Sequence, residues 1–179
     1  MATKNKIPSL QSLNYSSYLN NDGLIDETLC KKIGVYAIFN KDKHIQYIGY
    51  SRDIYLSLKQ HLVRQPDNCY WLKFEIIDHP NRSILEEIKM NWISQYENCI
   101  LKNREYEAFW TQPIDAKIQM TEEDRTIYAN SDEISQVKLL KKIARQVQNN
   151  IEKCLLNRGS NVEIRFNPKL KEKGLLDLK

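Results

Sequence analysis

The sequence predicts an α/β (α+β) chain: a small antiparallel sheet with flanking helices, followed by a helical extension carrying a short terminal strand. Three observations predict it. Two β-rich runs, Val35-Tyr36-Ala37-Ile38-Phe39 and Ile45-Gln46-Tyr47-Ile48-Gly49, are joined by the short polar stretch Asn40–His44, the pattern of a hairpin. Helical periodicity then alternates with a third β-rich run, Tyr70–Ile77. Beyond residue 131, an apolar stripe through Val137, Leu140, Ile143 or Ala144, Val147, Ile151 and Cys154 or Leu155 marks one long amphipathic helix.

In chain order, residues 1–20 are polar and read as a loosely attached arm. Asn21-Asp22-Gly23 signals a turn, and a short helical stretch follows from Asp26 to Lys32. After the hairpin, Ile54, Leu58, His61 and Leu62 recur at helical spacing, with Ser51 or Asp53 as cap and Pro66 just past the end. The third strand stops before Pro80-Asn81. Ile84, Leu85, Ile88, Trp92 and Ile93 then mark a second helix ending near Tyr96, with Trp92 as a core anchor. Residues 104–131 are less regular, with Phe109 and Trp110 as anchors and Thr121-Glu122-Glu123 as a helix start. Asp132 starts the long helix and Arg158-Gly159 stops it. Val162–Phe166 alternates as a strand that Pro168 closes. The boundaries are therefore 1–29 for the arm, 30–103 for the α/β domain and 104–179 for the extension.

Composition excludes some classes. The chain of 179 residues carries 27 basic and 23 acidic residues, a net charge of +4, which is a mild bias toward an anionic partner. No apolar run reaches the ~18–20 residues of a bilayer span, and the first residues lack the apolar core of a signal peptide, so a soluble, cytoplasmic protein is expected. Cys30, Cys69, Cys99 and Cys154 form no C-x-x-C pair and read as buried free thiols rather than a zinc site with His44, His61 and His79.

The two strands of the hairpin carry Gly34-Val35-Tyr36 and, ten residues on, Tyr47-Ile48-Gly49, followed by Tyr50-Ser51-Arg52. This pair of triplets resembles the signature of the GIY-YIG nuclease superfamily. The likeness covers residues 30–103 and implies a three-stranded antiparallel sheet with helices around it. A GIY-YIG-related group of cyanobacteria and plastids is similar over most of the chain, through Gly49–Asp53, Ser57–Leu62 and Gly174–Leu178.

Phosphodiester cleavage in such a site needs a divalent cation, a general base, a cation for the developing charge and groups that hold the phosphate. The resemblance assigns base and positioning roles to Tyr36 and Tyr47, and matches a further asparagine to Asn103, with Asn98 as runner-up. At the family's arginine position stands Ser57, which has no charge to offer. At its metal-binding glutamate position stands Lys89, which repels Mg²⁺; Glu86 or Glu87, one turn away, are the carboxylates left to hold metal if any does. Arg52, Lys59 and Arg64 are the cations that remain nearby.

The expectation is a GIY-YIG-like domain impaired in catalysis that binds nucleic acid or a protein partner. Arg52, Lys59, His61 and Arg64 would make the nucleic-acid contacts, and Tyr50, Tyr55, Tyr70 and Trp71 could stack on bases. Two alternatives stay open. One is an active Mg²⁺-dependent endonuclease acting on DNA; the other is a protein-interaction or self-association module using the long helix, whose basic residues include Lys138, Lys142, Arg145 and Lys153.

Overall fold

Gly34–Phe39 is buried at every position, which only a central strand covered on both faces can be. It is strand β2 of a four-stranded antiparallel sheet ordered β1-β4-β2-β3, with β1 at Ser16–Ser17, β3 at Ile45–Ser51 and β4 at Trp71–Ile76. The three long strands are those expected; the two-residue β1 is added at the edge beside β4. The computed structural model describes residues 7–79, 81–96 and 99–179, without the side chain of Cys99; Pro80 and Asn98 therefore lie outside the described residues. It divides into two compact units, Met1–Trp110 and Thr111–Lys179.

Helix α1 (Ile54–Arg64) starts at Asp53, whose carboxylate accepts from Leu56 N, and buries Ile54, Leu58, His61, Leu62 and Val63. Helix α2 (Arg82–Ser94) is capped by Asn81 and packs Leu85, Ile88, Trp92 and Ile93 against the other sheet face, on Val35, Ala37, Phe39, Ile45 and Ile48. Helix α3 (Arg104–Thr111) follows a 3-10 turn over Cys99–Lys102.

Residues 7–29 are not loosely attached. Leu10, Tyr18, Ile25 and Leu29 are fully buried. The Tyr18 hydroxyl donates to Leu58 O at 2.7 Å, Trp92 Nε1 donates to Pro8 O at 2.9 Å, and the buried Lys73 ammonium donates to Leu10 O at 3.1 Å. The apolar residues that hold this segment are too widely spaced to form a periodic signal, so composition alone reads it as an arm.

The second unit has its own core. Strand β5 (Ile114–Asp115) pairs with β6 (Leu175–Leu176). Helices α4 (Glu122–Ala129), α5 (Glu133–Asn157) and α6 (Pro168–Lys171) complete it. A Thr121/Asp124 capping box starts α4 and Asp132 caps α5. The stripe Leu140, Ile143, Ala144, Ile151 and Leu155 is buried within this unit. Gly159, at φ +70°, ends the helix in the left-handed conformation that glycine tolerates best.

Residues 162–166 are not a strand, contrary to their alternating pattern. Phe166 makes only an isolated bridge to Leu178, because Asn167 turns the chain into α6 with Pro168 at its first position. Of the cysteines, Cys69 is buried, Cys154 is half-buried and Cys30 is exposed, which corrects the expectation of buried thiols at Cys30. No helix among the described residues is long and apolar enough to cross a membrane.

Candidate functional site

Register decides whether the two tyrosines of the hairpin meet. Tyr36 pairs with Gly49 and Ile38 with Tyr47, so Tyr36, Tyr47 and Gly49 share one face of the sheet, the face that α1 covers. A one-residue slip would have put Tyr47 on the opposite face. The glycines have distinct reasons. A Cβ on Gly49 would lie 2.6 Å from Tyr47 Cε1 and 2.9 Å from the Tyr36 hydroxyl, so glycine makes room for the tyrosine pair. A Cβ on Gly34 would collide with the Glu75 carbonyl of the neighbouring strand.

Helix α1 brings three side chains to this face at positions 57, 61 and 64. His61 is buried, with Nε2 2.8 Å from the Tyr36 hydroxyl and Nδ1 3.0 Å from Trp110 O. A carbonyl can only accept, so Nδ1 carries the proton and Tyr36 donates to Nε2. Burial, with the Arg64 guanidinium adding to it, holds His61 down to about 3, so the ring is neutral. Burial raises the Tyr36 phenol well above its ordinary range and the neighbouring Tyr47 adds to this, with Ser57 and Arg64 opposing weakly. Tyr47 is raised by burial and then by the Glu107 carboxylate. Neither phenol is poised to lose its proton. Ser57 stands beside Tyr36 and donates to Ser51 Oγ at 2.7 Å, and Arg64 Nη1 donates to Trp110 O at 2.7 Å.

The fourth wall is α3. Trp110 is fully buried and stacks on Tyr47, with centroids 5.2 Å apart and planes 9° from parallel. Glu107 Oε1 accepts from Lys89 Nζ at 2.9 Å, and that ammonium lies 6.0 Å from the Tyr47 ring centroid. The space lined by Gln46, Tyr47, Lys89, Tyr106 and Glu107 is about 10 Å³. That is room for a single water at most, since one needs roughly 10–15 Å³. No phosphodiester enters it in this conformation.

The residues present do not fit Mg²⁺ where the resemblance places it. Lys89 brings a positive charge to the position, and the carboxylate it bonds, Glu107, is already paired with it. Among the described residues, no group of three or more His, Cys, Asp or Glu side chains could hold a metal ion.

The remaining sequence candidates are dispersed. Asn103 caps α3, its Oδ1 accepting from Glu105 N at 2.8 Å and Tyr106 N at 3.1 Å. Glu86 is on the opposite side of the sheet, accepting from Tyr50 at 3.0 Å and Arg82 Nε at 2.9 Å; Glu87 is exposed on α2. Arg52 is exposed just before α1, and Lys59 is half-buried on it. His61 and Arg64, grouped with these two as surface contacts in the sequence, instead bond the interior side of Trp110. Of the two expected anchors, Trp110 is buried and Phe109 is exposed. Sequence spacing did not single out Glu107, because it reaches Tyr47 from a helix outside the motif; the apolar pattern marked Trp110 only as an anchor.

Comparisons with known proteins agree with this hairpin. Residues 32–113, just under half of the chain, match the family model described as the GIY-YIG catalytic domain. A stretch of 63 residues is 33% identical to the bifunctional monothiol glutaredoxin-S16, chloroplastic, of Arabidopsis thaliana. The match covers 35% of this chain and 22% of that protein, so the chain spans about a fifth of the relative's length.

Proposed function

We propose that this chain, whose residues 32–113 are a GIY-YIG superfamily domain, binds nucleic acid without cleaving it. The observation that carries the reading is Trp110 stacked on Tyr47, with Ser57 and Lys89 at the two positions where the family resemblance places a cation and a metal ligand. Loss of a group that stabilises developing charge costs about 3–4 kcal/mol of transition-state stabilisation, by analogy with an oxyanion donor. Here the acceptor of metal is replaced as well, and both phenols are held protonated. What remains is a nuclease-type frame in a chain whose net charge is +4, which suits sequence-independent contact with phosphates.

The test is binding and cleavage measured together. Labelled single-stranded, duplex and branched DNA and RNA are mixed with the full chain in Mg²⁺, in Mn²⁺ and in EDTA. Binding that weakens with salt, without cuts, is the expected result. Metal-dependent cuts that disappear in Tyr47→Phe would overturn the reading.

One observation favours a second reading. Arg64 and Glu107 both act on Tyr47, so a guanidinium and a carboxylate stand beside the tyrosine pair although from new positions. An endonuclease with these relocated groups requires α3 to move aside, and predicts cuts that Arg64→Gln and Glu107→Gln each abolish.

A further inference from the structure

On the sheet face opposite the tyrosine pair lies a groove of about 570 Å³, lined by Ile33, Tyr50, Ser51, Arg52, Arg82 and Leu85. Its volume falls in the range of small-ligand sites, roughly 300–1,000 Å³. Tyr50 alternates with Gly49 along β3, which places its ring on the α2 side rather than with Tyr47. Two kinds of lining meet here. Ile33, Leu85 and the Tyr50 ring are apolar or aromatic, whereas Arg52 and Arg82 bring guanidiniums to the same space.

The polar partners are arranged, not scattered. Glu86 Oε1 accepts from both the Tyr50 hydroxyl (3.0 Å) and Arg82 Nε (2.9 Å), which ties the ring and the guanidinium together. That contact uses one of the five N–H donors of Arg82. Arg52 is exposed, and among the described residues it is in no ion pair. An aromatic ring with aliphatic neighbours beside two arginines matches a ligand that carries a base and a phosphate together. The tyrosine site offers no such space.

We propose that this groove holds one nucleotide of a single-stranded nucleic acid, the base against Tyr50 and the phosphate at Arg52 and Arg82. The assignment rests on the nucleic-acid reading above and gives it a location. A single strand is required because a base paired in a duplex does not present its face to a protein ring.

The experiment is fluorescence anisotropy of an oligomer of about ten deoxythymidines with the full chain at low salt. Arg52→Glu, Arg52→Glu/Arg82→Glu and Lys173→Glu are compared, with 5′-AMP, inorganic phosphate and a phosphoserine peptide as competitors. Loss of two charged contacts predicts affinity about tenfold or more weaker in the double variant, a smaller loss in Arg52→Glu, and none in Lys173→Glu, whose side chain is exposed. Arg52→Glu alters an exposed side chain, so it reports on the groove even if the double variant does not fold. Displacement by 5′-AMP in preference to phosphate is the second expected result. Oligomer binding that survives Arg52→Glu and the double variant would overturn the groove and leave the nucleic-acid reading standing. No binding by the native chain would overturn both, and equal displacement by the phosphoserine peptide would reassign the groove.

Discussion

His61 shows how a single side chain converts a surface signal into an interior one. Its helical position beside Arg64 suggested contact with phosphate, yet both ring nitrogens are used inside, one on Tyr36 and one on Trp110 O. The consequence is a pH dependence of stability. Burial depresses the folded pKa to about 3 from an unfolded value of 6.5, so protons bind the unfolded chain first as pH falls. The contribution of neutral His61 is full above pH 6.5 and is lost progressively between pH 6.5 and about 3. Between pH 7 and pH 5 this amounts to about 2 kcal/mol. Urea denaturation at those two pH values checks it: His61→Gln should have a flatter pH response than the native chain. An equal slope in both would show that other groups set the acid sensitivity.

Helix α3 is the element that decides the state of the site. It is short, and it is held by Trp110 against Tyr47, by the Tyr106 hydroxyl donating to Gln46 Oε1 of β3 at 3.2 Å, and by Glu107 against Lys89 of α2. The ion pair is partly exposed (side chains 21% and 44%), so after solvent screening it contributes about 0.5–1 kcal/mol. The fully buried indole contributes far more, since truncating such a side chain costs about 3–5 kcal/mol. The ion pair therefore orients the helix while the indole binds it. Lys89→Glu should place two carboxylates together, lower stability by about 1–2 kcal/mol and raise acrylamide quenching of tryptophan fluorescence. Adding Glu107→Lys should restore both, as a reversed pair. If the double variant stayed as quenched as Lys89→Glu, the pair would not be what positions α3.

At the scale of the molecule, the net charge of +4 is too small to make the surface a strong polyelectrolyte binder. Any affinity must come from a few local contacts. With two to four phosphates engaged on a single strand, the logarithm of the binding constant should fall against the logarithm of salt with a slope of about −1.4 to −2.8. Measured at constant temperature between low and moderate salt, a steeper slope would require a wider basic surface, such as the Lys138, Lys142 and Arg145 side of α5. A slope near zero would remove phosphate contact from the account.

The sequence alone determined the hairpin, the three long strands, α1, α2 and α5, and the acidic start of α5 at Asp132, and it narrowed the cap of α1 to Ser51 or Asp53. Those features are written in local alternation, helical spacing and side-chain-to-backbone bonds between residues a few positions apart. It also located Tyr36, Tyr47, Ser57 and Lys89, because the spacing from the Gly/Tyr triplets is short and countable. Only the tertiary structure decided what these positions do together. Register put both tyrosines on one face, the fold carried α3 back over them from some sixty residues away in the chain, and Tyr50 turned with Arg52 and Arg82 toward a different groove. Burial, and with it the protonation of His61, Tyr36 and Tyr47, depends on what covers a side chain, and no local pattern in the chain records its cover.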